Sequence, residues 1–127
     1  MKFVAVDVET ANADRSSICQ IGLAVFCDGQ LVGEWSSLVN PEAGFDAINV
    51  SIHGINGNAV RGQPSLPELE RDLRQRLDGA IVVSHTQFDR VSLSRAFDKY
   101  GLSPINAEWI DSCQIARETW PALDRSS

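Results

Sequence analysis

The sequence predicts an α/β domain built on a mixed sheet of five strands with flanking helices. Three observations carry that prediction. Met1 to Val8 reads M-K-F-V-A-V-D-V, a near-continuous valine-rich run of the kind found in a central strand covered on both faces. Two further apolar runs are joined by Asp28-Gly29, a hairpin turn signal. Beyond residue 65, helical patterns alternate with short apolar runs, the order that builds strands joined by crossover helices.

The elements follow in turn. Phe3 to Val8 is the first expected strand, Ile18 to Phe26 the second and Leu31 to Leu38 the third. Asn40-Pro41 and Gly44 mark a loop. Ser65-Leu66-Pro67-Glu68 has the capping-box form, a serine followed by glutamate three residues later. Leu66, Leu69, Leu73 and Leu77 then share one helical face, and Gly79 closes the helix. Ile81 to Val83 reads as a short buried strand. Asp89 to Tyr100 reads as a second helix, with Leu93, Ala96, Phe97 and Tyr100 spaced i, i+3, i+4, i+7 and Gly101 and Pro104 ending it. Ala107 to Ile110 is the expected fifth strand, and Ser112 to Thr119 a third helix. Trp35, Trp109 and Trp120 are expected to be packing residues.

At 127 residues the chain has room for one domain, 1–127, with a real core. No stretch approaches the roughly 20 apolar residues of a membrane span, and Asp7 and Glu9 break the N-terminal apolar run before it could serve as a signal peptide. Cys19, Cys27 and Cys113 lack metal-site spacing and are odd in number, so a reduced, cytoplasmic setting is expected. The net charge of −6 argues against coating nucleic acid by general attraction. It is compatible with an acidic pocket whose sign is reversed by bound divalent cations.

Asp7 and Glu9 stand two apart on a strand and therefore point to the same face, where both can reach one ion. Oxygen-only ligands suit Mg²⁺ or Mn²⁺. A lone D-x-E pair fits a hydrated strand end equally well. Val83-Ser84-His85-Thr86-Gln87-Phe88-Asp89 adds a second acid-bearing strand end, the place where open α/β sheets build sites. Asp89 is also well suited to be a helix N-cap, and His53 to be a loop histidine capping its own turn. Arg90, Arg95 and Lys99 read most simply as a solvated helix face.

V-D-V-E-T-A-N (6–12) followed by I-C-Q-I-G (18–22) resembles the first motif of the DEDD family of 3′–5′ exonucleases, closest to the branch of the bacterial DNA polymerase III proofreading (epsilon) subunit. S-H-T-Q-F-D (84–89) resembles its second motif, one residue shorter than the common form. S-I-H-G-I (51–55) resembles its nucleotide-contacting loop. W-I-D-S-C-Q-I-A-R (109–117) is similar to its fifth strand and following helix. The resemblance implies a ribonuclease H-like fold and two-metal hydrolysis of phosphodiester bonds from the 3′ ends of DNA, with two Mg²⁺ or Mn²⁺ ions per site. It implies Asp7, Glu9 and Asp89 as catalytic metal ligands, Phe88 as a stacking residue, and Ile52, His53 and the backbone of Thr10 around the terminal nucleotide. It also implies partners: a nucleic acid with a free 3′ end, single-stranded DNA first, and a DNA polymerase subunit, with no membrane.

The family's third motif, a His or Tyr followed at short distance by a fourth Asp, does not occur. No histidine follows Asp89, and Tyr100 is followed at the relevant spacing by Pro104 and Ile105. The chain therefore resembles an exonuclease domain truncated at its C-terminus, with its last helix missing and weak activity expected. Exposed apolar surface and self-association are expected with it. Two other readings stay open: an RNA-trimming relative, and a non-catalytic module that binds nucleic acid or a polymerase.

Overall fold

The computed structural model describes residues 1–111. Among them, eight elements follow in order: β1 (Lys2–Thr10), β2 (Ile18–Cys27), β3 (Gln30–Leu38), α1 (Ala47–His53), α2 (Leu66–Leu77), β4 (Ile81–Ser84), α3 (Gln87–Lys99) and β5 (Glu108–Asp111). The expected helix at Ser112 to Thr119, Cys113 and Trp120 lie outside the described residues. No helix among the described residues is long and apolar enough to cross a membrane.

The strands form one mixed sheet in the order β3-β2-β1-β4-β5. β1, β2 and β3 pair antiparallel, while β4 joins β1 and β5 joins β4 in parallel. The β2–β3 turn has positive φ at both Asp28 and Gly29, as a two-residue hairpin of this hand requires. β1 runs two residues past the expected end at Val8, so Glu9 as well as Asp7 lies inside the strand.

The two faces of β1 differ. Val4, Val6, Val8 and Thr10 are buried, whereas Phe3, Ala5 and Glu9 are partly exposed and Asp7 is exposed. The expectation of a strand covered on both faces is thus corrected: the described residues bury one face of β1. An unbroken apolar run conceals this alternation, because Phe3 and Ala5 are apolar on the open side too. Phe3 stacks there on Phe26 of β2, with ring centroids 5.2 Å apart.

The buried face packs on α2 and α3. Leu66, Leu69, Leu73 and Leu77 join Leu93, Ala96 and Phe97 and the β1 valines in one core. Each such side chain contributes roughly 1.5–3 kcal/mol of burial. Ser65 and Glu68 form the expected capping box at the start of α2. Trp35 packs against this core beneath Arg76, whose guanidinium lies 4.9 Å from the ring centroid; Trp109 packs against it beneath Arg90.

α1 replaces what the sequence suggested was a loop. It buries none of its residues, and at seven residues it is too short for its one i, i+4 apolar pair, Ile48 and Ile52, to stand out as a helical period. Gly54, at φ 76°, ends it in the left-handed conformation that glycine adopts without strain.

Candidate active site

The site forms where β1, α1 and the start of α3 meet. β1 carries Asp7 and Glu9 on the open face of the sheet. Gly22 pairs with Asp7, so no side chain stands beside that carboxylate on β2. The register slips between Glu9 and Thr10, a bulge of the kind that re-aims side chains near functional sites.

Thr10 is the anchor for α1. His53 lies 2.9 Å from the Thr10 carbonyl through Nε2, and its Nδ1 accepts the Ile55 backbone N–H at 2.9 Å. With Nδ1 accepting, the proton sits on Nε2. Asn49, one turn earlier, donates to the Thr10 and Asn12 carbonyls at 3.1 and 3.3 Å. Both ring nitrogens of His53 are therefore engaged within the protein, as in a histidine capping its own turn. Ile52 projects the other way and is 76% exposed.

α3 supplies the remaining residues. Thr86 is its N-cap and accepts the Phe88 N–H, so Asp89 is not the cap that its position invited. Asp89 is buried in the first turn, and its Oδ1 accepts the Val8 N–H at 3.0 Å. That bond ties α3 to β1. Burial pushes the Asp89 carboxyl above the usual range; the Val8 N–H opposes this, and the charge of Asp7 adds to it. Glu9 is likewise raised, by burial first and then by Asp7, with His53 opposing and Asp89 adding. Glu9 and Asp89 thus both sense the charge of Asp7.

Glu9, Thr10, Ile52, His53 and Phe88 line one cavity of about 320 Å³, together with Asn12, Ala13, Arg15 and Asn49. Asp7 lines a neighbouring hollow of about 470 Å³ on the open face with Ala5, Gly22, Ala24, Glu34 and Ser36. Asp89 lines neither cavity and is tied to β1 through Val8. Among the described residues no three His, Cys, Asp or Glu side chains are gathered into a ready-made metal cage. The sequence reading missed Arg15 and Asn49. The spacing of Asn49 and His53, i and i+4, was the available signal for the second; an isolated arginine in a polar loop offered none for the first. Cys19, buried behind His53, has its thiol pushed by burial up to about 11 and is inert.

Comparison with known proteins bears on the family and the fold. The chain is 28% identical over 127 residues to the 3′-5′ exonuclease DinG of Bacillus subtilis (strain 168), covering 97% of this chain and 14% of that protein. It is 25% identical over 126 residues to the PolC-type DNA polymerase III of Streptococcus thermophilus, covering 97% of this chain and 9% of that one. It therefore spans only a small part of these relatives. Exonuclease X, solved with 5′ overhanging duplex DNA, superposes with a TM-score of 0.64 at 25% identity over 94% of this chain and 64% of its own. The nuclease domain of 3′hExo, a DEDDh family member, superposes at 0.75 with 15% identity over 98% and 72%. The expected ribonuclease H-like fold is the one these neighbours share. The Exonuclease family model (RNase_T) matches residues 4–127, and the chain belongs to that family.

Proposed function

We propose that the domain removes nucleotides from the 3′ end of a DNA strand by metal-dependent hydrolysis. One observation carries the reading: Glu9, Thr10, Ile52, His53 and Phe88, distant in sequence, line a single cavity beside Asp7. The names of the relatives support the polarity and the nucleic acid. DinG is called a 3′-5′ exonuclease, and Exonuclease X is solved with DNA. The PolC relatives support a polymerase as the neighbour or partner in which such a domain works.

The donor set fits divalent ions. Asp7, Glu9 and Asp89 offer oxygen alone, and two of them are raised partly by their mutual charge, a cost that a cation removes. Mg²⁺ commonly takes one or two carboxylates and fills its shell with water and substrate phosphate, so a three-acid cage is not needed beforehand. When bound, a pair of Mg²⁺ or Mn²⁺ ions supplies Lewis acidity at the scissile phosphate and lowers the pKa of water. Asp7 and Glu9 hold that charge from β1. Asp89, with Oδ1 taken by Val8, offers its second oxygen. Phe88 stacks on a base, Ile52 packs against the terminal nucleotide, and His53 holds α1 in place to form the pocket wall. The order Asp7, Glu9, Asp89 accounts for three acids of such a site.

The test is a 5′-labelled single-stranded oligonucleotide incubated with the chain and Mn²⁺. Slow stepwise shortening that Asp7→Ala abolishes is the expected result. An unchanged oligonucleotide that also fails to bind in the presence of metal overturns the reading. Cleavage confined to the matching RNA moves the substrate to RNA.

A further inference from the structure

Arg15 is the one lysine or arginine among the residues lining the cavity. It sits in a loop that is held tightly. Ala11 donates to the Ser17 carbonyl at 2.8 Å, Asp14 to Asn12 Oδ1 at 2.8 Å and Ser17 to the Asp14 carbonyl at 3.0 Å. Asn12 in turn donates to the Gly44 carbonyl at 2.7 Å. Asp14, the adjacent acid, is occupied: its Oδ1 accepts both the N–H and the hydroxyl of Ser16, at 2.9 and 2.8 Å. Those bonds hold its carboxyl below the usual range, and Lys99 and Arg95 of α3 direct part of their charge at it.

Arg15 itself makes no ion pair among the described residues. Its guanidinium lies over the Phe88 ring, 5.7 Å from the centroid, and the residue is exposed. A loop held by these bonds thus presents a planar cation without an ion-pair partner in the cavity that Glu9 also lines. In a protein of net charge −6 such a group has little reason to stand there for solubility. A guanidinium matches a phosphodiester in shape as well as charge, since two parallel N–H groups meet two anionic oxygens.

We propose that Arg15 grips a backbone phosphate of the bound strand, one that is not cleaved, and so sets the register of the strand in the pocket. The inference rests on the nuclease reading above. In the free protein the guanidinium rests on Phe88. On binding it turns to the phosphate and frees the ring for a base, so one contact is exchanged for two. Phosphate contacts of this kind position a strand and carry no sequence preference.

The test measures binding of a fluorescent single-stranded oligonucleotide by anisotropy, with Ca²⁺ in place of Mg²⁺ to suppress cleavage, across a salt series. Wild type, Arg15→Ala and Arg15→Lys are compared, each with its melting temperature recorded. Arg15→Ala is expected to melt as wild type does, to bind about tenfold more weakly and to lower the slope of log affinity against log salt by about 0.7, one phosphate's worth on a single strand. Arg15→Lys restores the slope and only part of the affinity. Replacing single linkages of the oligonucleotide by uncharged methylphosphonates identifies the phosphate: one position weakens wild type and leaves Arg15→Ala unchanged. Equal slopes and equal sensitivity to every linkage in wild type and Arg15→Ala overturn the inference and leave the nuclease reading standing. No binding by wild type under any metal condition overturns the nuclease reading, and the inference falls with it.

Discussion

α1 and α2 are built to opposite plans. α2 turns Leu66, Leu69, Leu73 and Leu77 into the core and its charges to solvent. α1 turns Asn49 and His53 toward the protein and leaves Ile48 and Ile52 73% and 76% exposed. Both pairs in α1 are spaced i, i+4, so each occupies its own side of the helix. A helix that stabilises the fold hides its apolar side. One that offers that side to solvent next to a pocket is placed for a ligand, and its polar bonds to Thr10 serve to hold it there. The difference teaches where this domain keeps its stability and where it keeps its function.

The sharpest way to break that comparison is to strike the core side of α2. Leu73 is fully buried, and Leu73→Ala removes its burial and leaves a cavity. We expect a loss of about 2–5 kcal/mol in urea unfolding, with binding per folded molecule unchanged. A loss of binding that exceeded the unfolded fraction would mean that α2 also shapes the site.

A smaller effect is expected at the start of α2. Ser65→Ala removes one half of the capping box and costs about 1 kcal/mol. The Glu68 carboxyl is held below the usual carboxylate range by the Ser65 N–H and then by its hydroxyl. A folded pKa below the unfolded one gives stability that is present above the unfolded value and is lost as pH falls through the folded value. The gap between thermal melts of wild type and Ser65→Ala is therefore expected to be widest at neutral pH and to narrow below about pH 4, near the ordinary glutamate pKa and beneath it. Parallel melting curves across that range would show that the Ser65 hydroxyl does not engage the Glu68 carboxylate, because the Ser65 N–H is present in both proteins.

The same contrast decides what was legible beforehand. α2 announced itself because four leucines and a capping box are local signals that tertiary packing then uses unchanged. The hairpin announced itself through Asp28-Gly29. α1 did not, since a seven-residue helix held by two polar side chains offers a single i, i+4 apolar pair and no capping side chain. Asp89 was placed correctly at the start of a helix, but the cap is Thr86, and the bond from Val8 that occupies Asp89 crosses 81 residues of sequence and has no local trace. The open face of β1 was hidden by the apolar character of Phe3 and Ala5. Five of the seven candidate residues meet in one cavity, a convergence that spacing along the chain cannot reveal. Arg15 went unread for the same reason: its place over Phe88 exists only in three dimensions.

Turning to α1, Asn49→Ala removes the donor that clamps the helix to the Thr10 and Asn12 carbonyls. Because α1 buries no apolar side chain, global stability is expected to fall by less than about 1 kcal/mol, the net worth of an ordinary hydrogen bond. Amide exchange across 47–53 is expected to accelerate, while exchange in α2 stays as it was. Binding of a single-stranded oligonucleotide weakens with it, as the pocket wall loses its fixed position. A uniform acceleration of exchange throughout the domain would mean that α1 belongs to the core after all.

The smallest effect on stability, and the one that separates the two helices most cleanly, is expected at Ile52. A fully buried isoleucine exchanged for serine would cost several kcal/mol. Ile52 is 76% exposed, so Ile52→Ser is expected to leave unfolding within about 0.5 kcal/mol of wild type. Its side chain nevertheless lines the cavity with Glu9, His53 and Phe88. Loss of that apolar contact is expected to weaken oligonucleotide binding several-fold while the salt slope is unchanged, because no phosphate contact is removed. That pattern is the reverse of the one at Leu73. Ile48, one turn away and on the same side of α1 but outside the cavity lining, provides the control. Ile48→Ser with the same loss of binding would extend the strand's path along the helix, and Ile48→Ser without it confines the contact to the pocket mouth. An Ile52→Ser variant that bound as wild type does would remove the reason for an outward apolar side, and the comparison between the two helices would then describe packing alone.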